Sequence, residues 1–270
     1  MEKIIKLLII QIGFLILGIL LSMPIYLLAD ESVAQNYLII SGVFLGNLFL
    51  IAYILLKKYV RFDSRSWSFC SMKVLLLTVV LNLVFFFFAN GVDGLIDYLD
   101  DKDLYEKLGM LKNMGLDPLG FCVIVLVSPI AEELMFRGSI LRLLLEKKNL
   151  APRYAILIAA LISGILNPGQ NVSSFLFGLL WGYLYYRSGS LSLCILSDMI
   201  TNILSTMLII HFPDSRSVYD LVGIMPFVGF AVLSVILSVI CIYYLNRSLT
   251  TPAWRIPETP VENRGSDALS

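Results

Sequence analysis

Glu132, Glu133 and Arg137 stand close together in an otherwise apolar stretch, Ile130-Ala131-Glu132-Glu133-Leu134-Met135-Phe136-Arg137-Gly138. The run before it, Phe121-Cys122-Val123-Ile124-Val125-Leu126-Val127-Ser128-Pro129, is apolar enough to cross a membrane. Charges at bilayer depth are expensive. Those that occur face a protein interior and mark proton, ion or catalytic sites. Arg137 follows Glu133 by four residues, which puts both on one helix face with the acid N-terminal, the better orientation for a pair. Glu132 is turned about 100° away around the axis, so one Arg cannot neutralise both acids equally. One carboxylate is expected to be left over.

Two further polar groups fall within apolar runs. Asp198 lies near the middle of Leu191–His211 with no cation beside it, and Asn202 follows four residues later on the same face. An unpaired Asp at that depth reads as functional. The other reading is an interhelical hydrogen bond or a partner for Arg137. Asn167 begins the turn Asn167-Pro168-Gly169-Gln170-Asn171 and, taken alone, reads as a helix C-cap. Gln11, Asn47, Asn82 and Asn90 read as interhelical glue, and His211 as an interfacial histidine at a span end.

The elements that must position these groups are membrane spans. The chain of 270 residues is 58% apolar and 15% charged, with a mean hydropathy of +0.85. Soluble domains are about 45–50% apolar. The composition predicts an all-α polytopic membrane protein of one domain, residues 1–248, with about eight transmembrane helices enclosing a buried polar site. The spans are placed near 5–28, 37–56, 71–92, 118–145, 153–167, 173–187, 190–211 and 221–245. The fifth and sixth are short. Leu104–Leu111 has rough helical amphipathicity, suited to a membrane surface or a solvated loop. Residues 249–270 are rich in Pro, Ser, Thr and charge and read as a disordered cytoplasmic tail. No cleavable signal peptide is evident in the first apolar run.

Lys and Arg collect in alternate loops, at Lys3 and Lys6, at Lys57, Lys58, Arg61 and Arg65, at Lys147, Lys148 and Arg153, and at Arg187 and Arg247. This places both termini in the cytoplasm, in what reads as a bacterial cytoplasmic membrane. Net charge is zero, so nothing recommends nucleic acid as a partner. The partners expected are the lipid bilayer and either a membrane-associated peptide or protein substrate or a partner membrane protein. The four cysteines are far apart, form no CxxC, and read as free, buried small hydrophobes. With one histidine, the chain cannot assemble an ordinary His-rich zinc site.

The Glu-Glu-x-x-x-Arg string, with Pro129 before it and Gly138 after it, resembles the first motif of the CAAX-protease and bacteriocin-processing family, CPBP or Abi. Gly182-Tyr183-Leu184-Tyr185-Tyr186-Arg187-Ser188-Gly189-Ser190-Leu191 resembles the linker between that family's second and third motifs. The resemblance covers roughly residues 117–208. It sets the second motif on Ser163-Gly164-Ile165-Leu166-Asn167 and the third on Asp198-Met199-Ile200-Thr201-Asn202. Asn202 is kept, while Asn167 and Asp198 replace the two motif histidines.

The resemblance implies a buried hydrolytic site in which a first-motif glutamate activates water and polar groups of the other motifs stabilise the oxyanion. It implies as site residues Glu132, Glu133, Arg137, Asn167, Asp198 and Asn202. Placed near both glutamates, Asp198 is expected to share a proton with one of them. If a divalent metal is held, these all-oxygen ligands suit Mg2+, Ca2+ or Mn2+ better than Zn2+. Two readings stay open. One is an intramembrane endopeptidase with an altered site; the other is a catalytically inactive relative that scaffolds or regulates a partner. A third, a small ion-binding transporter, lacks the repeat symmetry that would support it.

Overall fold

The computed structural model describes residues 2–28, 31–99, 112–147, 149–166, 171–212 and 221–249. Among them the chain is helical, with no strand. Eight principal helices follow in order: α1 (Glu2–Leu28), α2 (Glu31–Leu56), α3 (Met72–Leu99), α4 (Pro118–Leu145), α5 (Pro152–Leu166), α6 (Asn171–Ser188), α7 (Leu191–His211) and α8 (Ile224–Ser248). Six of them, all but α5 and α6, are long and apolar enough to cross a membrane. The chain is therefore an integral membrane protein. The eight helices agree with the expectation of about eight, and six of them are by length and composition alone long and apolar enough to cross. With 15 residues, α5 is only about 22 Å long against a hydrocarbon core of about 30 Å. The 18 residues of α6 carry Asn171, three serines, three tyrosines and Arg187, which dilute its apolar character. The tail from residue 250, the 104–111 segment and Asn167 lie outside the described residues.

α4 is the axis of the bundle. Its central part packs against α2 and α7, and its last turns against α5 and α6. Outside this core, α1 lies along α2, α5 along α6, and α3 along α8. Half of the α4 span is buried, against 17% for α1. The outer helices instead turn Ile5, Ile9, Ile16, Val228, Val232 and Val239 outward, as expected of surfaces that meet lipid chains.

α4 is not a regular α-helix. Asp117 caps its start, its carboxylate accepting from Gly120 N at 2.9 Å, with Pro118 in the first turn. Two wide π-helical turns follow, at Val123–Val127 and Phe136–Leu141. The first relieves Pro129, which has no N–H to donate and whose ring would press on the preceding turn. In the second, Ser139 Oγ donates to Leu134 O at 2.8 Å, satisfying a carbonyl that the wider turn would leave bare. Such bulges concentrate at functional sites, and these two bracket Glu132 and Glu133.

The α6–α7 corner is written in its residues. Gly189 takes φ +71° just past the end of α6, a conformation glycine adopts without steric cost. Ser190 then caps α7 by accepting from Leu193 N at 3.2 Å. The loop between α2 and α3 is sewn to this corner. Ser66 O accepts from Leu191 N at 2.7 Å, Arg65 Nε donates to Ser188 O at 3.1 Å, and Ser190 Oγ donates to Ser68 O. Nearby, Glu146 at the end of α4 takes both Arg61 and Arg142 at 2.9 Å.

The cysteines are all free, but only Cys194 and Cys241 are buried; Cys70 and Cys122 are exposed. Cys70 stands in the surface loop and Cys122 on the first turns of α4, where apolar character does not mean burial in protein.

α1 and α2 approach through small residues. A Cβ on Gly18 would collide with the carbonyl oxygen of Gly42, and one on Gly42 would stand 3.0 Å from Ile19 Cα. Gly18→Val is expected to destabilise the protein by about 1–3 kcal/mol through overpacking. Gly13→Ala, which meets nothing within 4 Å, should change stability by less than about 0.5 kcal/mol. Unfolding in mixed micelles checks both, and equal effects would mean that the α1–α2 contact does not constrain the fold.

Candidate functional site

Glu133 and Arg137 sit in the middle of α4 with side chains 0% and 4% exposed. The one-turn spacing brings Arg137 Nη1 to 2.5 Å from Glu133 Oε1. Glu133 Oε2 has no hydrogen-bond partner and is buried. Glu132, on the adjoining face, is half-buried and has no hydrogen-bond partner among the described residues. The structure therefore divides the two acids as the sequence predicts. One is clamped by the arginine and the other is left over.

The arginine is itself held from outside its helix. Its guanidinium lies over the Trp181 ring of α6 at 5.1 Å from the centroid and near the Phe136 ring at 5.8 Å. A cation over an indole face, away from water, is favourable by about 2 kcal/mol. Trp181 is fixed in turn. Its Nε1 donates to Asn82 Oδ1 of α3 at 2.8 Å. Asn82 Nδ2 donates to Ser197 Oγ of α7 at 2.9 Å and to Thr78 O at 2.8 Å. Ser197 Oγ passes its proton to Leu193 O at 2.7 Å. A continuous polar chain thus runs from Glu133 through Arg137, Trp181 and Asn82 to Ser197, joining four helices. All five of its side chains are buried.

The next residue along α7, Asp198, is 4% exposed and lies within electrostatic reach of Glu132, Glu133 and Arg137. It is not the partner of Arg137. Its Oδ1 accepts from Asn202 Nδ2 at 2.7 Å, the same amide also donates to Asp198 O at 3.0 Å, and Oδ2 has no partner. The i, i+4 pairing read from sequence is present, but it spends both amide protons of Asn202 on Asp198 rather than aiming them outward. Asn167 falls outside the described residues.

Of the residues expected to act together, Glu132, Glu133, Arg137 and Asp198 therefore share one region, with Asn202 attached to Asp198. Trp181 and Ser197 were not anticipated, and Asn82 was read only as interhelical glue. The mid-span amide of Asn82 was the available signal. Nothing in the local sequence marks Trp181, whose role depends on which helix passes Arg137.

Among the described residues, no group of three His, Cys, Asp or Glu side chains converges to hold a metal ion. Arg137 occupies one oxygen of Glu133 and Asn202 one oxygen of Asp198. These side chains do not fit a bound divalent ion, so no step below runs through one.

A membrane-embedded helical bundle with buried carboxylates braced by an arginine is the architecture of an intramembrane site. Residues 115–204, from just before α4 into α7, match the family model described as type II CAAX prenyl endopeptidase Rce1-like, within the CPBP family. That stretch contains every acid, amide and arginine of the expected site, while Asn82 lies outside it. No curated protein and no solved structure matches the chain.

Removing a member of the chain should expose its energetics. Arg137→Ala strands Glu133 as a buried acid and is expected to cost about 3–5 kcal/mol. Asn82→Ala leaves the Trp181 N–H bare and should cost about 1–3 kcal/mol. Adding Trp181→Phe to Asn82→Ala should cost less than the sum of the two single changes, because one bond is lost in both. Additive effects in a double-mutant cycle would show that the Trp181–Asn82 contact carries no coupling.

Proposed function

We propose that the chain is an intramembrane endopeptidase of the CPBP type, in which Glu132 activates a water for attack on a peptide bond near the membrane. The observation that carries this reading is the unequal treatment of two neighbouring acids. Glu133 is clamped by Arg137, and Glu132 is left with a free, half-buried carboxylate. A general base must have an oxygen to spare within reach of its proton. Glu132 has one, while the Glu133–Arg137 pair fixes the helix turn that presents it.

In this mechanism the carboxylate of Glu132 takes a proton as the water oxygen bonds to the scissile carbonyl carbon. The carbonyl oxygen becomes an oxyanion, stabilised by the amide N–H groups of Asn167 and Asn202. Collapse of the tetrahedral intermediate breaks the C–N bond, and Glu132 returns its proton to the leaving amine. Asn202 must first turn its amide away from Asp198. Substrates of this class are peptide segments held at the membrane, such as the processed tails of prenylated proteins. In this reading the basic loops, and with them both termini, are on the cytoplasmic side.

A second reading is favoured by one observation. The amide protons of Asn202 are both engaged by Asp198, and the register of the resemblance puts Asn167 and Asp198 where the family carries histidines. An inactive relative that binds a partner membrane protein would keep the braced framework and tolerate these changes.

The two readings separate on a pair of variants. Glu132→Gln should abolish cleavage, by about 10²–10⁴-fold in rate, with little change in stability, measured as accumulation of uncleaved membrane peptides in cells. Glu133→Gln should lower both activity and stability, because it weakens the ion pair. Asp198→His should raise cleavage if the site is a weakened protease site. If neither glutamine variant changes any substrate while a partner still copurifies, the endopeptidase reading is wrong and the scaffold reading stands.

A further inference from the structure

At the membrane surface that carries Lys57, Lys58 and Arg61, a pocket of about 400 Å³ opens between the α2–α3 loop, the end of α6 and the end of α8. Its walls include Ser64, Arg65, Ser68, Cys70, Ser188 and Ser248. None of its lining residues is acidic. We propose that this pocket binds a phosphate group, through Arg65 and the hydroxyls of Ser64 and Ser68.

The argument begins with uncompensated charge. The ion pairs among the described residues are Arg61–Glu146, Arg142–Glu146 and Arg137–Glu133. Arg65 is in none of them. It uses Nε to hold Ser188 O, and its two Nη groups have no partner among the described residues. Behind the pocket, Arg187 Nη2 donates only to neutral carbonyls, Leu249 O at 2.8 Å and Asn246 O at 3.2 Å, and its buried Nε has no partner. Neither guanidinium is paired with an acid among the described residues; Arg65 lines the cavity, and Arg187 holds Leu249 of its wall.

The nearest acid in sequence does not answer them. The hydrogen bonds from Ser66 hold the Asp63 carboxyl below its usual range, and the charge it feels is that of Arg61. The charge of Arg65 is felt instead at Cys70, in the pocket wall. The hydroxyls sort in the same way. Ser188 and Ser248 spend their protons on Leu184 O and Tyr244 O. Ser68 Oγ accepts from Cys70 N at 3.0 Å and keeps its proton to give, and Ser64 has no partner among the described residues. A planar guanidinium fork flanked by hydroxyl donors suits tetrahedral phosphate oxygens. The volume falls within the range of small-ligand sites, roughly 300–1,000 Å³.

The phosphate can come from a lipid headgroup or from solution. Exposed Phe69 and Met72 neighbour Cys70 in sequence, exposed Tyr244 accepts from Ser248 Oγ, and the pocket lies where α3 begins and α8 ends, a setting in which acyl chains can run down the two packed helices.

The test uses Cys70, the exposed thiol in the pocket wall, in full-length protein carrying Cys122→Ser and purified in maltoside without phosphate. Its alkylation rate is followed by mass spectrometry with sodium phosphate, dioctanoyl phosphatidylglycerol or dioctanoylglycerol added. Protection by both phosphate-bearing probes supports the pocket as a site for soluble phosphate. Protection by the phospholipid alone supports a headgroup site. Arg65→Gln should weaken protection by about tenfold or more, the loss expected for a charged hydrogen-bond donor. Ser64→Ala, whose hydroxyl has no partner among the described residues, should weaken it several-fold. Equal protection by dioctanoylglycerol, no protection by any probe, or unchanged protection in both variants would overturn the proposal. None of these outcomes depends on whether Glu132 supports cleavage, so this inference and the endopeptidase reading can fail separately.

Discussion

The fold is arranged around one buried ion pair, Glu133 with Arg137. Two charges out of water incur a desolvation cost that their mutual attraction offsets only with good geometry and further partners. The helix supplies the geometry, since a spacing of four residues sets acid over base. The bundle supplies the partners. Trp181 covers the guanidinium with its ring, and Asn82 and Ser197 keep Trp181 from turning. Each partner comes from a different helix, so the pair dictates which helices must surround α4. The wide turns on either side, at Val123–Val127 and Phe136–Leu141, let one continuous helix carry both a proline and this pair.

Much of this was legible in the sequence because it is local. The Glu133–Arg137 pair, the leftover Glu132 and the Asp198–Asn202 contact all follow from helical spacing, and the structure has all three. The α6–α7 corner follows from Ser188-Gly189-Ser190, where a glycine ends one helix and a serine caps the next. The span positions follow from apolar run length. What the sequence did not carry is long-range. Asn82 and Trp181 are 99 residues apart, and no periodicity relates them. Asp198 read as functional, and its other reading, an interhelical hydrogen bond or a partner for Arg137, stayed open until the neighbours of α4 were fixed. The fifth and sixth runs read as short in the sequence, and their helices are the two that fall below the length and apolarity of the other six.

The family match and the structure inform different parts of the molecule. Residues 115–204 carry the acids, the arginine and the amides. The helices before that segment supply support: Asn47 of α2 donates to Ser128 Oγ at 2.9 Å, Asn82 reaches Trp181, and the 57–71 loop clasps the α6–α7 corner. The matched segment thus draws much of its mechanical support from helices outside it, each of which offers a polar group at the right depth.

The reach of Asn82 also has a consequence for synthesis. α3 enters the membrane long before α6 and α7 exist as chain, with Trp181 and Ser197 following Asn82 by 99 and 115 residues. At about 5–20 residues per second, the amide waits on the order of five to twenty seconds for its partners. During that interval the amide of Asn82 has only Thr78 O of its own helix as a partner at bilayer depth, and any insertion factor that shields such groups would act in that window. Its release would then be timed by the arrival of the indole of Trp181, so that the contact which steadies the site in the finished protein also marks the moment at which assembly can close.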